Sequence, residues 1–417
     1  MTSDKAAPTG RDRRTVLVTT EARLLLSREG NPVSNVGLDY DFWTRYLSAF
    51  DRVTVLARVQ QSDVPVGHLH ASGYRPVEGP GVALTALPDY RGLTGFLASH
   101  RSIRRTVAAL IPAVDAVILR IPSPIASLVS RRLGHRQGYG VEVVGDPRDA
   151  LGPLGIKHPL RPLLRWAMTR AQRRLCHEAR ASAYVTEYTL QNRYPPHPGR
   201  FTTNYSSIDL DDDALRRPVP GSGRAIRIVT VAALDQPYKG VDVLIDAVAE
   251  CRARGLEVDL VVVGGGTNRA ALEQHARRVA PGHVIFTGYL PAGDAVRREL
   301  DRADVFVLAS LAEGLPRAMI EAMARGLPSI GSNIGGIPEL LAADDLVEPG
   351  SPTDLADHIG RFADPSLRLI KGMRNHAVAR RHHIASITKR RQSFYEAVLA
   401  DARRPAGHAQ ASVKDPG

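Results

Sequence analysis

Between residues 225 and 332 the chain keeps repeating one pattern. A short run of aliphatic residues is followed by a turn and then by a stretch with helical spacing. "AIRIVTVAAL", "VDLVVVGGG", "VIFTGYL", "DVFVLAS" and "PSIGSN" read as strands. "GVDVLIDAVAECRARG", "NRAALEQHARRVA" and "AVRRELDRA" read as the helices between them. Strands separated by helices cannot pair as tight hairpins, so they assemble into a parallel sheet with helices packed on it. The first half alternates in the same way. Its strands are "TVLVTT" (15–20), "RVTVLARV" from Arg52, "VDAVILR" from Val114 and "YGVEVVGD" from Tyr139. "YDFWTRYLSAF" and "HRSIRRTVAALIP" supply helical periodicity between them. "RRPVPGSGR", residues 216–224, is rich in Pro, Gly and Arg and reads as a linker. The expected fold class is therefore α/β: two Rossmann-like, doubly wound domains, 15–215 and 225–385, facing each other across a cleft. Residues 1–14 and 404–417 read as a disordered arm and tail. Ligands in such sheets bind at the carboxyl ends of the strands.

A length of 417 residues suits two or three domains. Hydrophobic residues at 43% exclude a disordered chain, and aromatics at 5% leave Leu, Val, Ile and Ala to build the cores. The two cysteines, Cys176 and Cys251, lie far apart. They argue against a disulfide scaffold and a zinc site and fit a reducing, cytoplasmic setting. No apolar run approaches the roughly 18 residues of a membrane helix, and the N-terminus has no hydrophobic signal region. The formal charge of +12 suits nucleic acid, anionic lipid or phosphorylated substrates. No helix-turn-helix, zinc-finger or RNA-binding aromatic pattern accompanies it, so nucleic acid is not an expected partner.

One stretch concentrates chemistry. "EGLPRAMIEAMARGLP", residues 313–328, follows a strand and opens a helix. Gly314 permits a tight turn, and Pro316 suits the first helical position because its missing N–H would be unpaired there. The helix start then offers free N–H groups and a positive dipole end to an anion. Glu313 lies in the loop and Glu321 just over one turn into the helix, so both can face one ligand. A carboxylate only accepts hydrogen bonds, and a pair of sugar hydroxyls is a natural donor pair for it. The bland alternative is a capping Glu313 and a solvated Glu321. Lys239, in "YKG", sits at a strand end where it can neutralise a diphosphate; a lone lysine is usually surface decoration. Gly264 and Gly265, in "VVVGGG", allow close backbone approach. "GSNIGGIPEL" is a further loop that opens a helix.

The order "YKGVDVLIDA", "VVVGGG", "FTGYL", "VFVLASLAEGLPRAMIEAMARGLPSIGSNIGGIPELL" and "LVEPGSPTDLADHI" resembles the C-terminal half of a family 4 glycosyltransferase of GT-B fold, over about residues 226–360. The first half is a looser match. The resemblance implies that an E-x7-E pair binds a nucleotide-sugar donor, with Glu313 on the transferred sugar and Glu321 on the ribose. It puts Lys239 on the diphosphate, helped by the backbone from Gly314, Leu315 and Pro316 to Arg317 and Ala318. Gly288, Tyr289 and Leu290 would lie beside the base. It also implies that a final helix, 386–403, packs back on the first domain. Two departures stand out. The diphosphate-binding arginine of the family is Ala233 here, within "AAL". A first-domain strand that often ends in histidine ends "ILRIPSP", which puts Arg120 next to the donor sugar. Gly30 and Asn31, in "LSREGNPVSN", are the candidates for the glycine-rich loop after the first strand.

Positive groups placed where the leaving diphosphate gains charge are the expected catalytic device. Lys239 and the helix start supply them without a metal, so no cofactor or divalent ion is expected. The resemblance implies retention at the anomeric carbon, with a hexosyl unit moved from a UDP- or GDP-sugar. Glu142 and Asp146, in "VEVVGDPRD", are candidates for contacting the acceptor or orienting Arg120; a capped loop is the plain alternative. The acceptor is a glycan, a lipid-linked glycan or a small molecule such as a secondary metabolite. "IKHPLRPLLRWAMTRAQRRLCHEAR" is a basic amphipathic stretch. It suits peripheral contact with an anionic membrane at the cytoplasmic face, or a solvated helix face. Two rival functions share the fold: a nucleotide-sugar epimerase, which needs no acceptor, and a non-catalytic nucleotide-sugar-binding protein, suggested by Ala233.

Overall fold

The computed structural model describes residues 14–35, 37–134, 138–152, 159–218, 225–235 and 237–402. Residues 1–13, 219–224 and 403–417, and with them nearly all of the expected arm and tail and most of the linker, lie outside the described residues.

The C-terminal sheet is all parallel. Its strands run in the order Val284–Gly288, Val258–Val263, Ile226–Val231, Val305–Leu308, Ser329–Ser332 and Leu346–Val347. Chain order runs outward from Ile226–Val231 in one direction, then restarts beside it with Val305–Leu308. The loops leaving these two neighbours diverge to opposite faces and open a crevice at the strand ends. All four residues of Val305–Leu308 are buried, which is why the strand reads as an unbroken apolar run.

The N-terminal sheet repeats this plan around Thr15–Leu26. Arg52–Gln61 and Val82–Pro88 lie on one side; Ala116–Ile121, Gly140–Val143, Ala181–Tyr184 and Phe201–Asn204 lie on the other, all parallel. Two short antiparallel strands, Pro32–Ser34 and Arg75–Pro76, extend it to nine.

Two features set the domain boundaries. The helix Ile384–Ala402 leaves the C-terminal domain and buries Phe394, Tyr395 and Val398 in the N-terminal core. Gly140 permits that approach, since a Cβ there would stand 2.5 Å from a Val398 methyl. The expected boundary at 215 moves earlier. Ile208, Leu210 and Ala214 are packed in the C-terminal core, because the chain crosses over before it reaches the Pro-rich segment.

Contacts between the domains include three that hold the crevice. Glu339 accepts backbone N–H bonds from Glu187, Tyr188 and Thr189 at 2.5, 3.3 and 2.7 Å, and so caps the N-terminal-domain helix Thr189–Arg193. The Tyr289 hydroxyl donates to the Gly73 carbonyl at 3.3 Å. Gly314 lies flat on the other domain: a Cβ would be 2.5 Å from the Val144 carbonyl oxygen. Among the described residues no helix is long and apolar enough to cross a membrane.

Candidate functional site

The crevice beside Ile226–Val231 and Val305–Leu308 collects the residues singled out by sequence. The loop after the first strand carries Lys239 and the loop after the second carries Glu313. Lys239 Nζ donates to Glu313 Oε1 at 2.6 Å, and the Ser310 hydroxyl donates to the same oxygen at 2.8 Å. A backbone bond from Leu311 N–H to the Tyr238 carbonyl, 2.6 Å, ties the two loops together. Gly240 makes this possible. It takes φ +64° at the start of the helix Val241–Ala253, where a Cβ would stand 1.9 Å from the Ala309 carbonyl oxygen. Burial, and secondarily Glu313, pushes the neighbouring Tyr238 hydroxyl up to about 12.

The motif helix is Arg317–Ala324. Pro316 is its cap residue rather than its first helical one, because its ψ of 108° is still extended. Met319, Ile320, Ala322 and Met323 bury one face, which leaves Arg317 and Glu321, four residues apart, on the other. The Glu321 carboxylate makes no hydrogen bond or ion pair among the described residues. Crowding by protein raises its carboxyl above the ordinary glutamate range, while Arg317 and Arg297 pull it back. Arg317 projects into the gap between the domains. One guanidinium nitrogen comes within 3.1 Å of where a Cβ of Gly37 would sit. Solvent reaches it, yet both domains crowd round it. That crowding lowers its pKa, and Glu321 opposes the shift. It too makes no hydrogen bond or ion pair among the described residues.

Beyond this centre, Gly264 N–H donates to the Gly288 carbonyl at 2.9 Å, and Gly265 packs against Tyr289. These residues and Leu290 form one wall of the crevice. Leu315 and Ala318 pack into the core beneath the motif helix.

Five further positions were expected at the site: Arg120, Glu142, Asp146, Gly30 and Asn31. Arg120 and Glu142 are cross-strand partners, and Glu142 is buried. Glu142 accepts from Arg120, from Tyr46 at 2.8 Å and from Tyr205 at 2.8 Å. Its oxygens are thus committed inside the N-terminal domain, and of its two expected roles this pairing fits orienting Arg120. Arg120 is matched by that carboxylate and lies over the Phe42 ring, so it is not an uncommitted cation. Asp146 caps Pro147–Ala150 through Arg148 N–H and is bound by Arg193 and Tyr194, so the plain capped-loop alternative describes it. Gly30 and Asn31 form an exposed hairpin turn, whereas Gly37 is the glycine set against the motif helix. Three participants escaped sequence reasoning: Gly37, Glu339 and the Arg317 side chain. Glu339, in "GGIPEL", carried the only local signal, an acid at the end of a glycine loop.

Residues 225–364 match the family model described as glycosyl transferases group 1. They form a glycosyltransferase domain. The enzyme is accordingly a glycosyltransferase of the GT-B type. Protein CapJ of Staphylococcus aureus is 26% identical over 335 residues, 78% of this chain and 81% of CapJ. The GDP-mannose-dependent α-(1-6)-phosphatidylinositol monomannoside mannosyltransferase of Mycolicibacterium smegmatis is 30% identical over 255 residues, 53% of this chain and 65% of that protein. Among solved structures, Anabaena HepE in complex with UDP-glucose superposes with a TM-score of 0.62 at 16% identity, covering 91% of this chain and 98% of that one. The last shows a shared fold.

Proposed function

We propose that this glycosyltransferase moves a hexosyl unit from a UDP- or GDP-sugar to a hydroxyl of a glycan or lipid-linked glycan, with retention and without a metal ion. The observation that carries the reading is Glu321. It is a recessed carboxylate with no protein partner, on the same helix face as Arg317 and beside the Lys239–Glu313 pair. A ribose diol satisfies Glu321, and a diphosphate satisfies Arg317 and the unpaired N–H groups of the helix start. Relatives whose names specify GDP-mannose, and a fold neighbour holding UDP-glucose, support these two donor classes. The comparisons favour neither the epimerase nor the non-catalytic reading.

In the transfer, the bond between the anomeric carbon and the diphosphate oxygen breaks as the acceptor oxygen bonds that carbon from the same face. The leaving diphosphate takes the electron pair and then the acceptor hydroxyl's proton, and Lys239 and Arg317 meet the charge that develops. Arg317 thereby restores the positive charge missing at Ala233. Buried free thiols at Cys176 and Cys251 suit a reducing cytoplasm.

Titration calorimetry with UDP, GDP, ADP and dTDP tests the donor site. One uridine or guanosine diphosphate should bind, with or without EDTA, and product NMR should show the donor's anomeric configuration. Failure of all four to bind, or conversion of the donor sugar with no acceptor present, would sink the reading. Arg317→Ala should weaken nucleoside diphosphate binding roughly 10- to 100-fold, the scale of a lost charge-assisted contact. The free nucleoside should bind as before, and Arg317→Lys should recover part of the loss. An equal loss for nucleoside and diphosphate would assign Arg317 to structure instead.

A further inference from the structure

Three helices, Gly92–Leu110, Pro124–Leu133 and Arg161–Glu178, cover one face of the N-terminal sheet and share its core through Ile103, Val129 and Leu175. Together they carry ten arginines and a single carboxylate, Glu178, in a chain whose formal charge is +12. Most of the excess charge of the protein therefore lies on this one layer. Elsewhere many arginines are matched, among them Arg23 with Asp89, Arg193 with Asp146, Arg325 with Asp301 and Arg391 with Asp209. On the helix layer, leaving Arg161 aside, none forms an ion pair with a described carboxylate, and Arg101, Arg104, Arg105, Arg131, Arg132 and Arg170 are exposed.

The layer also has an apolar edge. Leu97, Leu163 and Trp166 are 61%, 59% and 63% exposed, with Leu93 and Leu160 close by in sequence. All five belong to the first turns of two of these helices or to the residue before one. Gly92–Leu110 starts just after the strand Val82–Pro88 ends. Arg161–Glu178 finishes just before the strand Ala181–Tyr184 starts, and its 18 residues return it across the sheet. Both helices thus begin at the carboxyl edge of the sheet, the edge that faces the cleft.

We propose that this helix layer docks on an anionic lipid bilayer, with the leucines and Trp166 in the interface and the arginines over the headgroups. Charge complementarity supplies the attraction, and long arginine side chains reach headgroups while their stems cover apolar surface. The apolar edge distinguishes a bilayer from a soluble polyanion, which has no use for exposed leucine and tryptophan. Docked this way, the cleft opens beside the membrane surface, where a lipid-linked acceptor would be presented. The inference does not depend on the donor assignment.

The test is cosedimentation of the full chain with vesicles of mixed phosphatidylglycerol and phosphatidylcholine, against phosphatidylcholine alone. Tryptophan emission is followed in parallel. The chain has two tryptophans; Trp43 is fully buried, so a blue shift on binding reports Trp166. Binding is expected only with the anionic vesicles, with a blue shift, and should weaken at least tenfold near 0.5 M salt because exposed charges are screened there. The triple variant Arg101→Gln, Arg104→Gln, Arg105→Gln should bind about a hundredfold more weakly, at roughly fivefold per arginine. Leu163→Ser should reduce both binding and the shift. Unchanged nucleotide binding in these variants shows that the fold persists. Four results overturn the proposal: no binding, equal binding to neutral vesicles, binding without a Trp166 shift, or capture by heparin as tight as by vesicles.

Discussion

Glu321→Ala is expected to weaken nucleoside diphosphate binding roughly 30- to 1000-fold. Two hydroxyl donors on one recessed carboxylate contribute about 2–4 kcal/mol together. The same carboxylate predicts a pH dependence with a definite sign. Burial holds the Glu321 pKa above the ordinary glutamate range in the free enzyme. Hydroxyl donors favour the ionised form, so the bound nucleotide lowers that pKa. Affinity is therefore full above the raised pKa and declines as pH falls through it, at a higher pH than an unperturbed glutamate would give. Glu321→Gln keeps one acceptor oxygen and removes the titration. Calorimetry at a series of pH values checks both points. Unaltered affinity in the alanine variant, or a pH profile that survives in the glutamine variant, would take the ribose role away from this residue.

Lys239→Ala should lower kcat by roughly 10²- to 10³-fold, the scale seen when one preorganised charge partner of a developing anion is removed. It should also cost about 1–3 kcal/mol of stability. Glu313, whose side chain is 9% exposed, keeps only the Ser310 hydroxyl once the 2.6 Å ion pair is gone. The two effects separate in the double variant Lys239→Ala, Glu313→Ala. There the unpaired carboxylate is absent, so thermal stability should recover in part while kcat stays low. Recovery of kcat in the double variant would mean that Lys239 serves only to hold Glu313, and the direct role on the diphosphate would be lost.

Much of the crevice around Lys239 and Glu313 was legible because its geometry is local. Each residue sits a few positions after a strand that the apolar runs reveal, and a parallel sheet delivers every strand end to the same edge. Lys239 and Glu313 are 74 residues apart, yet they meet because their strands are neighbours at the point where strand order reverses. Gly264 and Gly288 come together for the same reason, on adjacent strands.

Positions that depend on partners distant in sequence were not legible. Arg120 pairs with the buried Glu142, because those two residues stand side by side in neighbouring strands. The Pro after Asp146 marked a helix start, and the aspartate proved to be its cap, held further by Arg193 and Tyr194. Gly37 and Glu339 have meaning only once one domain is set against the other.

The sequence by itself determined two parallel α/β units, the strand ends that carry Lys239 and Glu313, and the helix that presents Glu321. Periodicity and turn chemistry act over a few residues and leave a readable trace. The tertiary structure alone decided which charges are committed and which are not. Arg120 is neutralised within its own domain, the Arg317 guanidinium has no partner among the described residues, and one helix layer gathers ten arginines around a single carboxylate. Ion pairing is a property of spatial neighbours, and no one-dimensional pattern records which carboxylate lies within reach of which cation.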